Sequence, residues 1–139
     1  MYEYIELEGD AGFIVRAKKL DTLFSKASEA LYNIMVDISK VRPAEERFVE
    51  VSSESLDILL HHWLEELLFL TDTEGLVFSR FDVEVCKEDL LKARGKVLGE
   101  PIDPEKHDVR VAVKAITYHR LYLKKREDGM WEAGVIVDL

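Results

Sequence analysis

Apolar and polar positions alternate with two different periods along this chain. "YEYIELE" (2–8) and "GFIVRAK" (12–18) alternate like short strands, joined at "GDAG", where glycine permits the turn. From Leu20 the apolar positions fall at Leu23, Phe24, Ala27, Leu31, Ile34, Met35 and Ile38, the spacing of one helical stripe, and Asp21 in its first turn suits the helix dipole. "RFVEVSS" (47–53) returns to period two, and Ser52 or Ser53 is placed to cap a second helix. That helix is the strongest periodic signal. Leu56, Leu59, Leu60, Trp63, Leu64, Leu67 and Leu68 make its apolar stripe, which leaves Asp57, His61, His62, Glu65 and Glu66 for the polar side before an end near "TDTEG". After Gly75, "LVFSRFDVEV", "LLKARGKV", "VRVAVKAIT", "YLKK" and "WEAGVIVD" read as strands, with "EDG" as a hairpin turn between the last two. "KVRPAEER" and "GEPIDPEKHD" read as proline-centred loops. The predicted order is β-β-α-β-α-β-β-β-β-β: an α+β fold with a mostly antiparallel sheet covered by two helices.

A length of 139 residues with 47% hydrophobic composition fits one domain over 1–139. No stretch reaches the roughly 20 apolar residues needed to span a bilayer, and the start has neither a basic segment nor an apolar signal, so a cytoplasmic location is expected. The single Cys86 has no partner for an internal disulfide or a thiolate metal site, and reads as a small strand hydrophobe. The net charge of −9 works against binding a phosphate backbone directly and favours a basic protein partner.

Residue types give catalysis little support. "HHWLEE" sets His61 four residues from Glu65 and His62 four from Glu66, but this is not the zinc-protease spacing, and a solvated face with paired side chains explains it. "DTEG" (72–75) reads as a helix end and turn, and "VKAITYH" as a half-exposed strand whose Lys114, Tyr118 and His119 are available to a contact surface. The chain's last run, "GVIVDL", is different. Asp138 stands beside Leu139 and the terminal carboxylate, and such a pair of charges requires solvent, a proton or a cation. Asp10, in the first turn, joins them if its strand pairs with the last one, and the oxygen ligands so gathered suit Ca²⁺ or Mg²⁺. Two unrelated surface acids are the alternative.

"YEYIELEGDAG", "LLHHWLEELLFLTDTEGLVFSRF", "GEPIDPEKHDV" followed by "VKAITYH", and the closing "VIVDL" together resemble the archease family over essentially the whole chain. Archeases are accessory proteins of the GTP-dependent RNA ligase that seals tRNA halves after intron removal. The resemblance implies a fold of the strand-helix-strand-strand type with inserted antiparallel strands, and no catalytic residues. It implies a role in promoting ligase guanylylation and repeated turnover, with the ligase as partner and no direct nucleic-acid or membrane binding. It also implies a Ca²⁺ (or Mg²⁺) site formed by Asp10, Asp138 and Leu139, the last through main-chain or terminal oxygens. Glu8, Asp72, Glu74, Lys114 and His119 are the candidate partner contacts. One departure stands out: where the family's opening usually reads His-Thr-Ala-Asp, this chain has Leu7-Glu8-Gly9-Asp10. A metal-dependent hydrolase using Asp10, Glu8 and Asp138, or a general chaperone-like modulator of nucleic-acid enzymes, are the rival readings.

Overall fold

A computed structural model describes residues 2–7 and 9–139. Its elements run β1 (Tyr2–Leu7), β2 (Asp10–Ala17), α1 (Leu20–Met35), a 3₁₀ turn (Ile38–Lys40), β3 (Glu45–Ser53), α2 (Leu56–Glu74), β4 (Leu76–Lys87), β5 (Leu91–Pro101), α3 (Pro104–His107), β6 (Ala115–Ile116), β7 (Tyr122–Lys125) and β8 (Trp131–Asp138). The α+β order expected from the sequence holds, with two short helical turns added. Ile38, read as the end of the α1 stripe, belongs to the first of these turns. The second, α3, forms inside the proline-rich loop because Pro104 pre-sets its first turn and Asp103 accepts from the Glu105 N–H (3.0 Å).

The strands form two antiparallel sheets rather than one. β1, β2, β8 and β6 lie in that order, with β7 also on β8, while β3, β5 and β4 make a separate three-stranded sheet. The two helices lie between them and share one core. Phe13 and Val15 of β2 meet Leu23, Phe24 and Leu31 of α1, Trp63 and Leu67 of α2, and Phe78 and Val97 of the smaller sheet, all fully buried. At roughly 1.5–3 kcal/mol for each fully buried large side chain, this shared interior is the main force holding the sheets together. Two of its polar side chains are bonded within it. Tyr32 donates to the Leu67 carbonyl (2.9 Å), and the Trp63 indole donates to Ser28 Oγ (2.9 Å). The free edge of β4 is closed by α1: Asp21 accepts from the Val85 N–H (2.8 Å), and the Ser25 hydroxyl donates to the Phe81 carbonyl (2.9 Å).

Three local expectations need correction. Ser52 and Ser53 end β3, and the α2 N-cap is Ser55, whose side chain makes no capping bond. Within the 109–117 run only Ala115–Ile116 pairs as strand, and the Arg110 N–H goes instead to the Met35 carbonyl (2.8 Å) at the end of α1. His61 is not on a solvated face. The 109–121 strap crosses α2 there, so His61 is fully buried, donates from Nε2 to the Ile116 carbonyl (2.8 Å), and stacks on Tyr118 at 3.8 Å.

Candidate functional site

The β2–β8 pairing decides what the chain end meets. Its register sets Asp10 directly opposite Asp138, with Phe13 opposite Val135 and Ala17 opposite Trp131. The partner of the last strand is therefore the second strand, and Asp10 opens that strand instead of lying in the turn. Gly9, at φ 76, makes the turn. The Leu139 N–H donates to the Gly9 carbonyl (3.4 Å), which makes Asp10–Asp138 a non-hydrogen-bonded pair. In such pairs the two Cα atoms approach to about 4.5 Å and the side chains share one face. Phe13, Val15 and Ala17 turn toward the core, so the alternation sends Asp10 and Asp138 to the opposite face, where both are half-buried.

Two carboxylates and the backbone end at Leu139 thus converge by register alone. Among the described residues no three His, Cys, Asp or Glu side chains gather closely enough to hold a metal by themselves. Any cation at this tip depends on oxygens beyond the two side-chain carboxylates, such as those of Leu139. An all-oxygen set of that kind fits a hard cation.

The strap supplies the rest of the tip. The Lys114 N–H donates to the Asp138 carbonyl (2.8 Å), and Ala115 pairs with Asp138, so Lys114 is brought to the chain end while its side chain stays exposed. Asp72, exposed in the last turn of α2, lines a cavity with Val111 and Val113 of the same strap. Glu74 is drawn elsewhere, to Arg47 of β3 (2.9 Å). His119 follows Thr117, whose N–H and hydroxyl both donate to the Ile136 carbonyl (3.0 and 2.9 Å), which places it beside β8 upstream of the acidic pair. Glu8 lies outside the described residues. In α2, His61 Nε2 donates to the Ile116 carbonyl, and His62 Nδ1 lies 3.3 Å from the Ser52 carbonyl.

Sequence reasoning missed the cluster that anchors the strap. Glu100, at the end of β5, is buried, and its carboxylate accepts from the Arg42 N–H (2.7 Å), Lys106 Nζ (2.8 Å) and His107 Nε2 (2.9 Å). His107, fully buried, accepts at Nδ1 from the Asp103 N–H (2.9 Å), which fixes the proton on Nε2. The Arg42 N–H, then the Lys106 and His107 bonds, pull the Glu100 carboxyl down to about 2. The His107 carbonyl accepts from the Asp37 N–H (3.0 Å), so the loop after β5 is tied to the end of α1 before the chain reaches Lys114. A run reading "GEPIDPEKHD" carries no periodic signal for this arrangement; only Pro104 and Asp103, as helix-start residues, hint at it.

Comparison with known proteins agrees along the whole chain. A model of the Archease protein family matches residues 2–139. Proteins named archease from Methanopyrus kandleri and Pyrococcus abyssi are 42% and 41% identical over 139 residues, covering 99% of this chain and 99% and 98% of theirs. The solution structure of a Methanobacterium thermoautotrophicum protein superposes with a TM-score of 0.87 at 42% identity, over 99% of this chain and 98% of that one. A crystal structure from Thermotoga maritima, described as an archease and possible chaperone, has a TM-score of 0.66 at 17% identity over 97% and 94% of the two chains, a likeness of fold.

Proposed function

The chain belongs to the archease family, and from that premise we propose that it is a non-catalytic activator of the GTP-dependent tRNA-splicing RNA ligase, promoting ligase guanylylation and repeated turnover. The observation that carries this reading is the register that sets Asp10 against Asp138 beside Leu139. It gathers two carboxylates and the backbone of Leu139 at one end of the molecule, where the strap also arrives through the Lys114 N–H bond to the Asp138 carbonyl.

Asp10, Asp138 and the main-chain or terminal oxygens of Leu139 would hold Ca²⁺, or Mg²⁺. The bound ion would supply local positive charge that offsets the like charges at the chain end. The chain's own part is structural: β2 and β8 fix the spacing of the carboxylates, and the strap fixes Lys114 beside them. Activation then follows from stabilising the ligase conformation that binds nucleotide and metal correctly, since an activator shifts such an equilibrium only by its preference for one state. The net charge of −9 favours a ligase surface that is basic where it meets this end.

The test is to mix the protein with ligase, GTP and Mn²⁺ and measure ligase–GMP formation and turnover. An unchanged level at every ratio would reject the reading. Release of phosphate from phosphomonoesters, or cleavage of RNA by the protein alone with Mg²⁺ or Mn²⁺, would favour a hydrolase instead.

A further inference from the structure

The segment between β5 and β6 exposes aliphatic side chains although it is firmly held. Ile102, Val109 and Val111 are 41%, 43% and 37% exposed. Connecting segments are normally polar at the surface, and clustered exposed apolar residues mark contact sites. This segment is not loose. The Ile102 N–H donates to the Gly75 carbonyl (2.8 Å), the Arg110 N–H to Met35 (2.8 Å) and the Lys114 N–H to Asp138 (2.8 Å), while the Glu100–His107 bond ties its middle down. The three side chains line, with Met35 and Val77, a cavity of about 190 Å³ that has Asp72 at its rim. A cavity of about 150 Å³ lined by aliphatic groups is enough to hold benzene, so this one accommodates a Leu, Ile or Met side chain.

Charge supplies an independent observation. The last turn of α2 carries Asp72 and Glu74 and no basic residue, which sets two anions at the negative end of the helix dipole. Glu74 is offset by Arg47 (2.9 Å). Asp72, exposed, has no ion-pair partner among the described residues. A cation arriving from outside would answer both the carboxylate and the helix end.

Resting on the accessory reading above, we infer that this cavity is the docking site for a segment of the protein partner that presents an aliphatic side chain next to a Lys or Arg. The aliphatic group enters between Val109, Val111 and Ile102, and the cation pairs with Asp72. The strap that walls the cavity continues to Lys114 and Asp138. A partner held here is therefore held against the same end of the molecule that carries the acidic pair, and docking sets how that pair is presented.

The test uses the full chain with the ligase, GTP and Mn²⁺, and reads the protein concentration that gives half-maximal ligase–GMP formation. Asp72→Lys should raise that concentration at least tenfold while leaving the thermal midpoint equal or higher, because a lysine suits the helix end that aspartate does not. The double variant Val109→Ser, Val111→Ser should raise it similarly. Phe48→Ser, which removes an aromatic 66% exposed on the three-stranded sheet, should leave it unchanged. Wild-type half-saturation in both cavity variants, or equal weakening by Phe48→Ser, would overturn the inference. A dimer of the protein alone that Asp72→Lys dissolves would give the cavity to a second copy and overturn it too. If the wild type itself leaves ligase–GMP formation unchanged, the accessory reading falls and takes the docking site with it, an outcome distinct from unimpaired variants beside an active wild type.

Discussion

Asp10→Asn should stabilise the protein without calcium and disadvantage it with calcium. Asp10 and Asp138 face each other in a non-hydrogen-bonded strand pair, whose Cβ atoms stand about 4.5–5.5 Å apart. Two unit charges ~5 Å apart repel by about 0.8 kcal/mol in water and about 3 kcal/mol at an effective dielectric near 20. Both residues are half-buried, and salt screens what solvent reaches, so about 1 kcal/mol is the working figure. Turning one carboxylate into an amide removes that repulsion. In chelator the variant should melt roughly 3 °C above wild type, given the entropy of unfolding of a chain this size. Calcium reverses the order. At a hundredfold excess over Kd a ligand that binds only the folded state adds about 2.7 kcal/mol, roughly 8 °C, and the variant should lose most of that gain. Scanning calorimetry of both proteins, in chelator and in saturating calcium, measures the crossing directly. If the two proteins shift in parallel, or if the variant melts below wild type in chelator, the argument that Asp10 and Asp138 form a charged, cation-binding pair is wrong.

Glu100→Gln should flatten the acid limb of the stability profile. The Glu100 carboxyl is held at about 2 against an ordinary 4.5, so its contribution is whole above about pH 4.5 and fades as pH falls toward 2; urea midpoints of variant and wild type across that window should converge at the acid end. Gly99→Ala should cost about 3 kcal/mol or more, because the added Cβ would overlap the Val77 carbonyl at the β4 irregularity, and a urea midpoint close to wild type would refute that close approach. Removing Asp138 and Leu139 should abolish ligase activation while the circular dichroism spectrum is retained, since only the end of β8 is lost from a core built on Phe13, Trp63 and Phe78; full activation by the truncated chain would mean that its end plays no part.

The helices and strands were legible because each buries one face, and one-sided burial writes its period into the residues themselves. Leu23, Phe24, Ala27 and Leu31 define α1, and Leu59, Leu60, Trp63, Leu64 and Leu67 define α2, in the sequence as in the fold. The pair of acids, Asp10 and Asp138, could be named from the sequence as residues, but their meeting could not. Periodicity states that a face is covered, but not by what. Whether β3, β4 and β5 join the other strands or form their own sheet depends on pairing between distant segments, which no local pattern encodes. The same holds for His61, polar by position and buried because a strap from residues 109–121 crosses it. It holds again for Glu100 and His107, whose partners come from α1's end and the loop before β3. The sequence alone determined the two long helices, most of the strands and the acidic character of the tip. The tertiary structure decided which carboxylates face each other there, because that is a matter of strand register, and register is settled only when both strands are packed on a common core.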